Sequence, residues 1–215
     1  MTNVKASVIE FIEAQFHVRG IPARHQLEGR TDEYVTGEGD DQVCHLRTLF
    51  FTDEKPEADL SFLQSASPGM GLVAMAGIVA ALRKAEYERL YLIEIMADGF
   101  SFWPWLGAVA ADGRAPNADH VAQAVGALQG KGAIDAAEAK RLTTNVFNLE
   151  AVQGREAWHK LASLDHPTKT ERAVIGEVTK LALPHKIMVL DLTDPKVNAT
   201  LEKRFSGLRP PSHKA

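Results

Sequence analysis

A glycine-containing turn between two apolar segments is the first feature that could do chemistry. It reads Pro68-Gly69-Met70-Gly71 and leads into a dense apolar run beginning at Leu72. A turn that leaves a strand and opens a helix presents unpaired backbone N–H groups at the positive end of the helix dipole, and glycine lets a phosphate approach that backbone. No third glycine follows at the offset of a dinucleotide-binding fingerprint, and no Lys-Ser/Thr pair follows for a Walker loop. The turn therefore predicts either a phosphate site or a tight turn into a packed helix.

A carboxylate within an apolar strand is the second feature. Glu94 lies in Arg89-Leu90-Tyr91-Leu92-Ile93-Glu94-Ile95-Met96, which is otherwise nearly continuous in apolar residues. Desolvation in such a strand raises the pKa of a carboxyl and suits it to accept a proton. Glu94 is therefore a candidate general base, and the alternative is an edge carboxylate hydrogen-bonded to a neighbouring strand.

An aromatic cluster follows that strand, in a chain with only 7% aromatic residues. It contains Phe100, Phe102, Trp103 and Trp105. Such a cluster seals the edge of a core, or it walls a pocket for an apolar ligand. The second interpretation makes Phe100, Ser101 and Trp103 candidate substrate-pocket residues.

Metal and hydrolase chemistry have little support in the residue pattern. The eight histidines are dispersed, no pair has the His-x-x-x-His spacing, and the one cysteine, Cys44, has no second thiol to join it. No Gly-x-Ser-x-Gly elbow is present, and Ser67 is followed by Pro68, which removes an N–H from any oxyanion hole. We predict no metal site.

Composition restricts the class of protein and its partners. The 215 residues carry 24 Lys and Arg against 28 Asp and Glu, a formal net charge of −4. This balance gives no basic field for nucleic acid or an anionic membrane, and no window resembles a signal peptide or a membrane span. We expect one domain over residues 1–215 in the cytoplasm, able to fold alone, without nucleic-acid or membrane partners.

The elements that must position these residues form a mixed α/β order. An amphipathic helix at 4–18 precedes antiparallel strands, of which 42–52 and 58–64 are the clearest. The glycine turn, a buried helix and the strand 89–96 complete a β-α-β unit. Helices are predicted at 119–129, 135–148, 151–164 and 167–182, so that 119–183 forms a helical insert or subdomain. A strand at 186–192 and a helix from Asp194-Pro195 to about residue 205 close the chain.

This order, together with the glycine turn, resembles the GNAT N-acetyltransferase superfamily, an α+β fold with a central, mostly antiparallel sheet. In that family the pattern Gln/Arg-x-x-Gly-x-Gly/Ala binds the pyrophosphate of acetyl-coenzyme A; this chain has Gly69 and Gly71, with Ala66 at the first position. Gly99, Trp103 and Gly107 are similar to a Gly-x-x-x-Trp-x-x-x-Gly pattern of GNAT-like domains in bacterial effector and toxin-associated proteins. The segments at 158–162 and 190–205 extend the resemblance over most of residues 42–205.

The resemblance implies an acyl-coenzyme A-dependent N-acyltransferase in which a small-molecule or peptide amine attacks the thioester directly. It implies cofactor contacts at Leu63, Gln64, Gly69, Met70, Gly71 and Leu72, with the helices of 119–183 as one wall of the acceptor site. The family's usual proton donor to the thiolate is a tyrosine, whereas this chain has Trp103 at that position. The alternative is a non-catalytic GNAT-like module of a larger assembly, and either protein could work as a homo-oligomer or with an operon partner.

Overall fold

We describe the fold from a computed structural model, which describes residues 10, 13–14, 17, 23–28, 31–36, 44–51, 56–65, 69–93, 95, 99–206 and 208. The chain divides into two compact units, and the fold is mixed α+β. The first unit comprises Met1–Ile93 and Asp191–Ala215, and the second comprises Glu94–Leu190. The predicted insert at 119–183 lies within the second unit.

The first unit is built on antiparallel strands joined in chain order. Consecutive strands pair as neighbours: β1 (Ala23–Glu28), β2 (Thr31–Thr36), β3 (Cys44–Phe51) and β4 (Glu57–Ser65). A fifth strand, β5 (Arg89–Leu92), pairs with β4 in parallel, with Glu57 opposite Arg89 and Leu60 opposite Leu92. Parallel neighbours need a crossover connection, and the helix between these two strands supplies it.

That crossover helix is α1 (Met70–Lys84), and its apolar face supplies much of the core of the first unit. Its most deeply buried residues are Ala74, Met75, Ile78 and Leu82. The alternate residues of the strands are buried as well: Ala58 and Leu60 in β4, Leu90 and Leu92 in β5. Buried residues thus recur at every second position in the strands and about every fourth position in the helix. This spacing gives the sheet and the helix one apolar face each, and the two faces form the core.

The C-terminal helix α7 (Pro195–Phe205) packs against α1 in the same unit. Asp194 caps it by accepting a 2.8 Å hydrogen bond from the Lys196 amide, and Val197 and Leu201 are buried. Asn198 accepts a hydrogen bond from the Arg83 guanidinium and donates one of 2.8 Å to the Leu192 carbonyl. These contacts hold the last segment of the chain on the crossover helix.

The second unit is mainly helical. Its helices are α2 (Gly99–Trp105), α3 (Ala118–Gly130), α4 (Ala136–Arg141), α5 (Arg155–Ala162) and α6 (Lys169–Ala182). Helix α2 packs against α5 and α6, and α3 packs against α6. Two short strands, β6 (Val109–Ala110) and β7 (Met188–Asp191), pair antiparallel, and Asp191 is the first residue of the chain assigned back to the first unit. The largest buried side chains of the second unit include Leu106, Leu142, Phe147 and Trp158.

Several predicted boundaries differ from the structure for local reasons. The helix predicted at 135–148 ends as an α-helix at Arg141 and continues as a π-helix over Leu142–Val146. There the Thr144 hydroxyl donates to the Lys140 carbonyl, which is a side-chain bond that competes with the regular helix. The helix predicted from residue 151 begins only at Arg155, because Gly154 adopts φ +56.

Two other differences concern strands, and one prediction is described only in part. The strand predicted at 89–96 ends at Leu92, and the two-residue β6 was not predicted. Of the helix predicted at 4–18, the described positions 10, 13, 14 and 17 are helical. Its other positions lie outside the described residues.

Candidate functional site

A bulge in β4 is the feature from which the candidate site is built. The strand pairs with β3 so that Thr48 of β3 lies opposite Leu60. Arg47, the residue of β3 before Thr48, lies opposite Phe62. Ser61 is therefore an extra residue in β4. Because the register moves by one position at Ser61, Leu60 and Leu63 come to the same face of the sheet although they are three residues apart.

The bulge also decides the direction of the Leu63 backbone. In an antiparallel pair, opposite residues either exchange both backbone hydrogen bonds or both point their N–H and C=O groups away. The Leu60 carbonyl accepts a 3.0 Å hydrogen bond from the Ile93 amide, so Leu60 and Thr48 form a pair of the second kind. Leu46 lies two positions before Thr48 and repeats that orientation. Its partner Leu63 therefore directs its backbone N–H and C=O toward the β5 side.

The β5 strand ends before it reaches Leu63. The last pair of the two strands is Leu60 with Leu92, and neither Ile93 nor Ile95 belongs to a strand. Among the residues that the structure describes, none pairs with the β5-facing backbone groups of Leu63. Leu63 is half-buried, and toward the described residues after β5 its backbone forms an unpaired strand edge, the kind of edge to which another extended chain can add.

The start of α1 is the second part of the site. Gly69, the residue before the helix, is exposed and has φ +84, a left-handed conformation in which side chains are strained. Its carbonyl accepts the amides of Leu72 and Val73 at 3.1 and 3.2 Å. No described residue accepts a hydrogen bond from the amides of Met70 or Gly71, and no side chain caps this helix.

Four other helices of the described chain have a side-chain cap at this end, whereas α5, which follows Gly154, has none. Asn117, Asp135, Thr168 and Asp194 each accept a hydrogen bond from an amide in the first turn of the helix that follows. The first turn of α1 also has no acidic residue. The predicted residues Leu63, Gln64, Gly69, Met70, Gly71 and Leu72 thus lie at the end of β4 and the start of α1, while residues 66–68 between them lie outside the described residues.

The predicted general base has no described geometry. Glu94 lies outside the described residues. The role of Glu94 stays a prediction.

The aromatic cluster is part of the core of the second unit. Phe100 and Trp103 are each 6% exposed, and the rings of Phe102 and Trp103 meet edge to face with centroids 4.8 Å apart. A Cβ added at Gly99 would lie 2.9 Å from Trp103 Nε1, so glycine is needed for this close approach. Ser101 is half-buried in α2, on the side that faces Gly176 of α6. This packing explains the burial of the cluster, and a pocket at Phe100, Ser101 and Trp103 stays a prediction.

Asp59 is a residue that our sequence analysis missed. It lies in β4, in register with Leu49 of β3 and Tyr91 of β5, and is half-buried. Burial, and then the nearby charge of Glu57, raise the pKa of its carboxyl above the ordinary value. The available signal was a carboxylate between Ala58 and Leu60, two apolar positions of a strand.

Glu57, two residues before Asp59, is engaged by β5. Its Oε1 atom lies 3.2 Å from the Arg89 guanidinium and 3.5 Å from the Tyr91 hydroxyl. In the described part of the chain, no hydrogen bond or ion pair involves the Asp59 carboxylate. The two carboxylates of β4 therefore differ: Glu57 is paired, and Asp59 is partly desolvated without a partner there.

The described ranges hold neither a cluster of metal-ligating side chains nor a membrane-spanning helix. No three or more His, Cys, Asp or Glu side chains come together there in a group that could hold a metal ion. None of the described helices combines the length and the apolar character that a membrane crossing requires.

Comparison with known proteins gives no relative for this chain. No protein-family model, no curated protein and no solved structure matches it.

Proposed function

We propose that this chain is an acyl-coenzyme A-dependent N-acyltransferase with a GNAT-like fold, which transfers an acetyl group to an amine. The observation that carries the proposal is the edge of β4 at Leu63, where no described residue pairs with the strand on the β5 side, on the same segment that leads toward α1 at Gly69. Backbone donors and acceptors followed by an anion-attracting helix start suit an extended ligand with amides at one end and a diphosphate at the other. Acyl-coenzyme A has this chemistry, because its pantetheine arm contains two amides and joins a diphosphate.

The helix start supports the diphosphate end of that ligand. A helix macrodipole places roughly half a positive charge at the N-terminus, and side chains that cap or neutralise it compete with an anion. Gly69 has no side chain, and the first turn of α1 holds no carboxylate. The amides of Met70 and Gly71 are the donors that we assign to the diphosphate.

The strand edge supports the pantetheine arm. Leu63 has a backbone donor and an acceptor on the β5 side, beyond the last β4–β5 pair. An amide-containing chain added there would form strand-like hydrogen bonds, and it would bring the thioester toward the point where the two strands part. This assignment needs no particular side chain at Leu63 or Gln64.

A second function is favoured by one observation. Trp103, at the position where the resembling family has a tyrosine, is 6% exposed and belongs to the aromatic core, so no hydroxyl is available there to protonate a thiolate. A non-catalytic GNAT-like module that serves in a larger assembly would retain such a core without turnover.

Ligand binding separates the two proposals, and thermal unfolding of the whole chain measures it. Coenzyme A at about 100 times its dissociation constant should stabilise the protein by about 2.7 kcal/mol. Pantetheine, which has no diphosphate, should give a much smaller shift. No shift with coenzyme A at millimolar concentration contradicts the transferase and leaves the module.

Gly71→Glu tests the helix start. The substitution adds a carboxylate to the first turn of α1, which favours the helix by about 0.3–1 kcal/mol and occupies the anion position. We expect the coenzyme A shift to disappear while the unliganded protein stays folded. The matched control is Gly126→Glu in α3, where an added Cβ meets no atom within 4 Å and the residue is exposed. An unchanged shift in Gly71→Glu would remove this turn from the site.

A further inference from the structure

The carboxyl of Asp59 is half-buried, and no hydrogen bond or ion pair of the described residues involves it. Asp59 lies in β4, two residues before the bulge at Ser61 and four before the open edge at Leu63. At a rise of about 3.3 Å per residue, the bulge lies about 7 Å from Asp59 along the strand. Asp59 is thus close to the point where β4 and β5 part, without being part of the edge itself.

The groups around this carboxyl come from three strands. Glu57 lies on the same face of β4, with Arg89 and Tyr91 on β5; Tyr91 is in register with Asp59. In β3 the residue in register is Leu49, and Arg47 is the charged position two residues along that strand. Arg89 contacts Glu57 at 3.2 Å, so this cation of β5 is already paired with another carboxylate.

We propose that Asp59 is the proton acceptor for the attacking amine, in a site that selects cationic amines. This inference rests on the proposed function, because it needs a thioester held at the edge formed by Leu63. The position beside the parting strands and the carboxylate without a described partner carry it. A second carboxylate, Glu57, adds negative charge that attracts an ammonium group. The raised pKa of Asp59 brings the carboxyl closer to the pKa of the proton it must take.

The reaction step balances without a further reagent. The ammonium substrate gives one proton to the Asp59 carboxylate, and the freed nitrogen lone pair attacks the carbonyl carbon of the thioester. The C–N bond forms and the C–S bond breaks, so that coenzyme A leaves as a thiolate. The thiolate takes the second proton from the newly acylated nitrogen, and Asp59 then returns its proton to water.

The test uses two amines that differ in protonation. The wild-type chain and Asp59→Asn are assayed with acetyl-coenzyme A and either a primary alkylamine, which is an ammonium ion near pH 7, or hydroxylamine, which is largely neutral there, with enzyme-free rates subtracted. We expect Asp59→Asn to lower kcat/KM for the alkylamine by about 10²–10⁴-fold. The rate with hydroxylamine should change only slightly, because that acceptor needs no base.

The pH profile gives a second readout that a purely structural role would not move. Glu57→Gln removes the charge that helps to raise the pKa of Asp59, so the acidic limb of kcat/KM for the alkylamine should shift to lower pH. Glu202→Gln, on the exposed face of α7, is the matched control and should leave the profile unchanged.

The outcomes separate this inference from the function on which it rests. If wild type shows a coenzyme A shift and transfers acyl groups, but Asp59→Asn is as active as wild type with the alkylamine, the role of Asp59 is wrong and the transferase stands. Equal loss with both amines also overturns it, since that pattern indicates a structural defect. If wild type shows no coenzyme A shift and no transfer, the proposed function itself fails and Asp59 has no such role.

Discussion

At the scale of single residues, backbone conformation and burial determine what Gly69 and Asp59 can do. Gly69 ends a strand-to-helix connection in the left-handed region, where any Cβ is strained although the surrounding space is open. Asp59 is half-buried in a strand whose alternate residues form the core. Both residues lower the stability of the fold. We propose that a ligand binds beside Gly69 and that Asp59 accepts a proton.

The cost at Gly69 is measurable. Gly69→Ala should lower the free energy of unfolding by about 1 kcal/mol, because alanine must adopt φ +84. Gly126→Ala in α3 should instead raise it by about 0.5–1 kcal/mol, because alanine favours a helix interior. Urea denaturation of both variants checks the pair. Equal effects of the two substitutions would contradict the left-handed conformation at Gly69.

Asp59 should make stability depend on pH in a definite direction. Its folded-state pKa lies above the unfolded value of 3.8, so the protonated form is favoured by folding. The contribution of the protonated Asp59 carboxyl to the free energy of unfolding is fully present below pH 3.8 and is lost as pH rises through the folded-state pKa. Asp59→Asn should therefore be more stable than wild type at neutral pH, with the difference shrinking as pH falls toward 3.8. A variant that is less stable at pH 7 would contradict this expectation.

At the scale of elements, an ion-pair network joins two helices of the second unit. Arg141 at the end of α4 lies 2.7 Å from Glu138 in its own helix and 3.0 Å from Glu171 in α6. Glu171 also forms a capping box with Thr168, and only 8% of the residue is exposed. Burial raises the pKa of Glu171, but the bonds from Thr168 and Arg141 outweigh it, and the pKa lies below the ordinary value.

Breaking this network should destabilise the protein. Arg141→Met keeps the apolar stem but leaves the nearly buried Glu171 carboxylate with one fewer donor, which should lower the free energy of unfolding. Lys180→Met, which removes an exposed pair with Glu177, should change stability by less than about 0.5 kcal/mol. Chemical denaturation at pH 7 compares the two.

The same network predicts an acid-labile contribution. Because the folded-state pKa of Glu171 is depressed, its stabilisation is present above the unfolded value of 4.5 and is lost as pH falls through the folded pKa. The difference between wild type and Glu171→Gln should therefore shrink below about pH 4.5. A constant difference from pH 7 to pH 3 would contradict the ion pair as the source.

At the scale of the whole molecule, the chain divides into two compact units, and the first unit is discontinuous in sequence. Its last segment returns through α7, whose Val197 and Leu201 are 1% and 0% exposed. Proteins often open locally in cooperative packed units, each with its own stability.

Leu201→Ala tests this organisation. The substitution removes a fully buried side chain and should cost about 2–5 kcal/mol. We expect amide hydrogen exchange to accelerate in α1, β4, β5 and α7, while α3 and α6 of the second unit keep their protection. Equal acceleration in both units would show one cooperative structure instead.

Much of the fold could be predicted because hydrophobic periodicity is local. The antiparallel strands, the crossover helix and the last helix are present near their predicted positions, and β4 and β5 are parallel as the β-α-β order required. Boundaries were less predictable: the end of β5 at Leu92, the π-helix at Leu142–Val146 and the late start of α5 depend on hydrogen bonds and turns that apolar periodicity does not encode.

The sequence by itself determined which segments are apolar, where the chain turns and which residue types are available, because these follow from composition and short-range spacing. Only the tertiary structure decided that Ser61 is an extra residue in β4 and that Leu63 directs its backbone past the end of β5. It also decided that Asp59 is partly desolvated beside Glu57. The physical reason is that register and burial depend on neighbours distant in sequence, and a one-residue shift in register reverses which groups face a site.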